Sequence, residues 1–234
     1  MVIENVPRGV RARVRAELTE QIKQVARRQL ADTGSAGLSL RAVARELGMV
    51  SSAVYRYFPS REELLTALIV DAYTAIGEQA AASEAAVRRS DLAGRWLATC
   101  RAARGWAVEH PHEYALIFGS PVPGYQAPVN TIDPAARIPL LLLAILTDAA
   151  TAGRGPSGPH EPIPRAVHPD LKRLREQVAP GLTDRYLARA LLAWSQLIGL
   201  ISFELFGHLH NVITDYAAHF DYQMRAVGQE LGLA

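Results

Sequence analysis

Apolar positions recur at helical spacing along nearly the whole chain, and no segment alternates with the period of two that marks a strand. From Val14 to about Thr33 the stripe is Val14, Leu18, Ile22, Val25, Ala26 and Leu30, and Gly34 is placed to stop that helix. Ser39 stands as the cap of a short helix carrying Leu40, Val43, Ala44 and Leu47 on one face. Gly48 makes the turn, and a helix from about Ser51 to Tyr57 comes next, with Val54 and Phe58 facing the core. Ser60 with Glu63 three residues on forms a capping-box signature for the next helix. That helix runs to about Ala82, with Leu64, Leu65, Leu68, Ile69, Ala72 and Ile76 inward. At about 1.5 Å per residue it is roughly 30 Å long, enough to leave a small first domain and link it to the rest of the chain.

The remainder is also helical in pattern. Asp91 opens a helix to His110 with Leu92, Trp96, Leu97, Cys100, Ala103 and Trp106 inward, and Pro111 ends it or starts a short one with Glu113, Tyr114, Ile117 and Phe118. Gly119 to Tyr125 reads as a rigid turn, and Pro134 begins a helix containing Leu140 to Leu146. The stretch from Gly153 to Pro169, rich in Gly, Pro and His, predicts a mobile surface loop. A short helix over Leu171 to Val178, one capped by Thr183 and ending near Phe206, and a last one from Ile213 to Leu231 complete the chain. The fold class is therefore all-α, with about nine or ten helices. A helix-turn-helix domain spans residues 1–62, including a basic arm over 1–13, and a helical bundle spans 63–234.

Charge sharpens the division. Residues 1–62 hold eleven Arg or Lys against six acids, whereas the rest holds 14 basic and 17 acidic residues, in a chain whose net charge is +2. A basic N-terminal quarter fits a nucleic-acid module, although chance clustering of surface arginines gives the same count. Cys100 is the single cysteine, so no intramolecular disulfide forms and a reducing compartment is expected. The N-terminus lacks a signal-peptide core, and the apolar run Ile138 to Leu146 is too short to cross a bilayer, so a cytoplasmic protein with no membrane partner is expected.

Two short helices around a glycine turn, with a third opening on a basic residue, form the layout of a helix-turn-helix that reads duplex DNA. Because Val54 and Phe58 serve the core, Ser52, Ala53, Tyr55 and Arg56 are left to enter a major groove about 12 Å wide. Arg41 and Arg56 are candidates for guanine edges or phosphates, and Ser39, Ser51, Ser52, Tyr57 and Arg61 for phosphates. Tyr55 suits a phosphate or a thymine methyl. Arg8, Arg11, Arg13 and Arg15 form an arm that either follows the DNA or is a solvated tail.

These residues resemble the DNA-binding domain of the TetR (tetracycline-repressor-like) family. The match runs in order through Ile22, Val25, Ala26, Leu30 and Gly34, then Ser39, Val43, Ala44 and Gly48, then Val54, Tyr55, Arg56, Tyr57, Phe58, Ser60, Arg61 and Leu64. Three positions depart from the family pattern. Val50 replaces the usual Ser or Thr, so capping of the recognition helix is expected to shift to Ser51; Tyr57 replaces His, and Arg61 replaces Lys. Farther along, Trp106, His110, Pro111, Tyr114, Phe118 and the Gly119–Tyr125 turn are similar to one subset of TetR-family C-terminal domains, as are Trp194 to Gly199 and Glu204 to Gly207. The resemblance implies an effector-binding and dimerisation domain.

Candidate ligand-lining residues are Trp96, Cys100, Trp106, Tyr114, Phe118, Leu141, Ile145, Trp194 and Phe203, each of which also reads as plain core. Glu204 on its apolar helix needs a partner. His208 or Gln196 would supply one within the chain, and a cationic ligand group would supply one from outside. The helix carrying Leu191, Leu192, Trp194, Leu197, Ile198, Leu200, Ile201, Phe203, Leu205 and Phe206 is apolar nearly all round. It therefore sits inside a monomeric bundle or, with the last helix, forms a homodimer surface. His110-Pro-His112 and His208-Leu-His210 lack further ligands at metal-site spacing, and no catalytic or phosphate-loop motif is present, so neither metal nor cofactor is expected. The reading is a ligand-responsive regulator, most simply a repressor released from a palindromic operator by a small molecule. The alternatives are a DNA-binding regulator with no effector and an enzyme with a degenerate helix-turn-helix.

Overall fold

The computed structural model describes residues 8–158 and 162–234. They form ten α-helices, and no strand occurs among the described residues. The helices are α1 (Arg8–Thr33), α2 (Leu40–Glu46), α3 (Ser51–Val54), α4 (Arg61–Ala85), α5 (Leu92–Glu109), α6 (Pro111–Phe118), α7 (Ile132–Thr151), α8 (His168–Val178), α9 (Asp184–Leu205) and α10 (Tyr216–Glu230). Two compact units result: 1–72 with 112–131, and 73–111 with 132–234. The division falls within α4 rather than at residue 62. It also assigns α6 and the turn after it to the first unit, which no local pattern announced.

In the first unit the core is Ile22, Val25, Ala26 and Leu30 of α1, Leu40, Val43 and Ala44 of α2, Val54, Phe58, and the inner face of α4. Val14 and Leu18, read as part of the inner stripe, are not in that core, and Val14 is 44% exposed. The basic arm is helix from Arg8 onward, so Arg11, Arg13 and Arg15 stand on α1 as its exposed first turns; Arg13 lies 3.7 Å from Glu17. Residues 1–7 and the side chain of Arg8 lie outside the described residues.

The second unit builds on α5, whose expected inward residues are all buried. Asp91 caps α5 by accepting from the Gly94 N–H at 2.8 Å, and Thr183 caps α9 by accepting from Tyr186. The last helix starts three residues later than its apolar pattern suggested, because the Asp215 carboxylate caps it at the Ala218 N–H. The 153–169 stretch is non-helical until α8 begins at His168, and residues 159–161 lie outside the described residues. Burial raises the Cys100 thiol well above its ordinary range, so Cys100 packs as a small apolar side chain. Burial also pushes the Tyr186 phenol up to about 12 while its O–H donates to the Leu231 carbonyl.

The segment Val129–Thr151 and α9 are each long and apolar enough to span a bilayer, a length that the short run Ile138 to Leu146 concealed. Part of each apolar surface is core, since Ile138, Leu142, Ile145 and Leu146 are buried, as are Leu197 and Ile201, while Leu140, Leu192 and Phe203 are exposed. Each also carries a paired acid, Asp148 with Arg95 and Glu204 with Arg104.

Candidate nucleic-acid interface and effector cavity

The turn between α2 and α3 is fixed by glycine chemistry. Gly48 takes φ +65°, its N–H bonds to the Arg45 carbonyl, and the Met49 N–H reaches back to Ala44 at 2.9 Å. This paired closure needs a left-handed residue at that position. Helix α3 then starts with Val50 as its cap residue and no side-chain cap bond, so the cap does not shift to Ser51, which occupies the first helical position. Helical geometry ends at Val54, and Tyr55 to Phe58 continue as a tight turn closed by Tyr57 and Phe58 N–H bonds to the Val54 carbonyl.

On this scaffold Ser52, Tyr55 and Arg56 are exposed, Ser51, Ala53 and Tyr57 are half-buried, and Arg41 is exposed on α2. Arg15 holds the turn from behind: its Nη2 donates to the Arg56 carbonyl at 3.2 Å, and its guanidinium lies 5.0 Å from the Tyr57 ring centroid. Ser39 caps α2 by accepting from Ala42, which leaves its hydroxyl proton available to a phosphate.

Two residues escaped the sequence reading. Val50 is 70% exposed at the leading edge of α3, an apolar side chain of the kind that meets a thymine methyl. Arg45 is exposed one turn after Arg41 on α2. The i,i+4 spacing of the two arginines was the available signal.

Arg61, a candidate phosphate contact, is engaged within the first unit. Its Nε donates to the Leu38 carbonyl at 3.1 Å and its Nη2 to the Ser35 carbonyl at 2.6 Å, bracing the loop between α1 and α2. Replacing Arg61 with Ala is therefore expected to lower stability by about 1–3 kcal/mol, measured by urea unfolding. The salt slope of DNA binding should stay unchanged, whereas loss of a phosphate contact lowers it by about 1 per site.

Several basic residues in the N-terminal charge count are ion-paired within the first unit. Arg27 pairs with Glu20, Asp71 and Glu113, Lys23 with Glu20 and Asp71, and Arg28 with Glu46. Arg41, Arg45 and Arg56 make no ion pair among the described residues. The Arg27–Glu113 pair at 3.2 Å and the Thr66–Tyr125 hydroxyl bond at 2.9 Å tie α6 and the turn after it onto the first unit. Accordingly Tyr114, fully buried, and Phe118, 5.1 Å from it between ring centroids, are residues of that unit.

In the second unit α5, α7, α8 and α9 enclose a cavity of about 90 Å³. Of the ligand candidates, only Trp96 and Trp194 line it, with Pro139, Leu142, Leu143, Leu146, Leu174, Leu187, Ala190, Leu191 and Ala193. Cys100, Trp106 and Ile145 are core, Leu141 is half-buried elsewhere on α7, and Phe203 is 51% exposed. Glu204 is held by neither His208 nor Gln196. Arg104 grips it with two bonds, Nε to Oε2 at 2.7 Å and Nη2 to Oε1 at 2.6 Å. Among the described residues no group of three or more His, Cys, Asp or Glu side chains is placed to hold a metal ion.

Residues 22–68 match the family described as bacterial regulatory proteins, tetR family, and residues 96–227 match the tetracyclin repressor-like C-terminal domain. The chain is 40% identical over 225 residues to the HTH-type transcriptional regulators Rv1816 of Mycobacterium tuberculosis and Mb1846 of Mycobacterium bovis, covering 93% of each chain. Its structure is similar to the crystal structure of the regulatory protein SCO4313, with TM-score 0.74, 35% identity and coverage of 95% of this chain and 98% of that one. The TetR-family regulator PfmR from Thermus thermophilus shares the fold, at TM-score 0.57, 15% identity and 90% and 98% coverage. A helix-turn-helix head with exposed arginines thus coincides with whole-length likeness to known regulators, and the chain belongs to the TetR family of DNA-binding transcriptional regulators, which is not a family of enzymes.

Proposed function

We propose that the chain is a ligand-responsive repressor that binds a palindromic operator as a homodimer and leaves it when a small molecule occupies the second unit. The observation that carries the ligand response is the apolar cavity among α5, α7, α8 and α9. A regulator with no effector is expected to fill that bundle with side chains. The C-terminal domain belongs with the subset carrying the aromatic, His-Pro and Gly119–Tyr125 pattern, and the protein works in the cytoplasm beside its DNA.

The dimer reading rests on α9. Leu192, Phe203 and Phe206 are 46%, 51% and 44% exposed, and with Gln196 and Gly199 they recur at alternating steps of four and three residues. That is the seam of two helices packed at a shallow angle. At its centre, the space a side chain on Gly199 would fill is open, so another backbone can approach closely. The exposed Tyr222 extends the apolar surface onto α10. A two-fold pair places two recognition helices about 34–36 Å apart, one turn of DNA.

In each half-site Arg41 and Arg56 read guanine edges or hold phosphates, Tyr55 and Val50 meet a phosphate or thymine methyls, and Ser39, Ser51, Ser52 and Tyr57 contact phosphates. Arg11 and Arg13 follow the adjoining backbone from α1. Helix α4 is the covalent path from the head to the effector unit. Effector binding must favour the released state by differential affinity, typically about 1–3 kcal/mol. Selection of DNA by the purified protein, then challenge with lipophilic small molecules, tests this. The expected result is a palindrome with half-sites about 10 bp apart and ligand-dependent release. A strictly monomeric protein selecting a single half-site would overturn it.

A further inference from the structure

The effector cavity has no ionisable side chain in its wall. Trp96, Leu142, Leu146, Leu187, Ala190 and Trp194 supply indole and hydrocarbon, and Pro139 contributes a wall residue that carries no N–H. The indole N–H of Trp96 is already given to the Met224 carbonyl at 2.8 Å. A Cβ on Gly228 would lie 3.1 Å from that indole, so the ring is also fixed by shape. The carboxylate best suited to a cation, Glu204, is neutralised by the two-pronged Arg104 contact. A charged molecule entering this space would shed its hydration and find no counter-charge.

Size narrows the class further. The volume of about 90 Å³ is well below the roughly 150 Å³ of an engineered apolar cavity that stays dry and admits benzene or xenon. Leu191 both lines the space and is 48% exposed, which marks the mouth. The room inside is that of a slim aliphatic group rather than a fused ring system.

We propose that the effector class is a small uncharged aliphatic molecule, held by hydrocarbon contact alone, and that cations and carboxylates of equal chain length are rejected. This rests on the effector reading, but its test needs no DNA. Full-length protein is titrated with 1-pentanol, pentylammonium and pentanoate by ligand-observed NMR, and its crystals are pressurised with xenon. The expected result is saturable 1-pentanol binding at least ten-fold tighter than either ion, xenon inside the cavity, and loss of pentanol binding in Ala190→Phe. Equal or tighter binding of an ion overturns the proposal, as does pentanol binding unchanged in a folded Ala190→Phe variant. If that variant fails to fold, xenon in crystals of the unaltered chain decides, and an empty cavity counts against the proposal. Saturable pentanol binding without operator release keeps the cavity's preference for neutral aliphatic ligands and removes the repressor-release reading. Operator release by an ion that stays outside the cavity does the reverse.

Discussion

On the proposed homodimer, replacing Arg56 with Ala should weaken operator binding by about 2–6 kcal/mol, because a DNA contact worth about 1–3 kcal/mol is lost in each of two half-sites. The expectation rests on how little else occupies this side chain. It is exposed beside Tyr55, and it makes no ion pair among the described residues. Its backbone carbonyl is pinned by Arg15 at 3.2 Å, so the guanidinium projects from a fixed turn instead of a frayed helix end. Anisotropy titrations at constant salt against the selected operator, and against the same site altered at one symmetric base pair, separate the two roles open to it. A guanine contact predicts a loss concentrated on the selected sequence and relaxed preference at one base pair per half-site. A phosphate contact predicts a uniform loss and a salt slope shallower by about 1 per half-site. Unchanged affinity would remove Arg56 from the interface.

Much of the DNA-binding head was legible because its determinants are local. Ser39 as a cap, Gly48 as a left-handed turn, and Ser60 accepting the Glu63 N–H at 3.2 Å all sit where short-range spacing places them. What the sequence could not reveal depends on partners far along the chain. In sequence Arg61 is only a phosphate candidate, whereas its guanidinium also holds the loop carbonyls of Ser35 and Leu38. Arg27 entered the N-terminal charge count as a bare cation, whereas its partner Glu113 lies 86 residues away. Glu204 was recognised as needing a partner, but local spacing offered only His208 and Gln196, while Arg104 lies 100 residues earlier. Most ligand candidates lie away from the cavity wall for a similar reason. Aromatic type and helical phase mark a residue as inward, but they do not separate a packed neighbour such as Ile145 from a cavity wall such as Leu146.

The same logic makes Arg95 the residue whose loss should damage the second unit most. It sits on α5 outside the expected inward set, is only 1% exposed, and joins three helices. Its Nε donates to Glu84 of α4 at 2.5 Å, and its Nη1 donates to Asp148 of α7 at 2.7 Å and to the Arg89 carbonyl at 3.2 Å. Its Nη2 is buried with no hydrogen-bond partner among the described residues, so the site is costly even when intact. Replacing Arg95 with Ala leaves the nearly buried Glu84 carboxylate without its close partner, since Arg89 stands 4.0 Å away and is largely exposed. Breaking a buried pair on one side typically costs about 3–5 kcal/mol, against total domain stabilities of about 5–15 kcal/mol. Urea unfolding monitored by tryptophan fluorescence should therefore show a large fall in the midpoint for Arg95→Ala. The double variant Arg95→Met with Glu84→Leu should recover much of it, because the uncompensated charge is gone. If the double variant is as unstable as the sum of its parts, Arg95 acts through shape and not through charge. Because Glu84 lies at the end of α4, the single variant should also, on the proposed ligand response, alter how strongly a cavity ligand changes operator affinity. Comparing operator affinity with and without the proposed ligand in the folded fraction then reads whether this ion cluster anchors the helix that leads to the DNA-binding head.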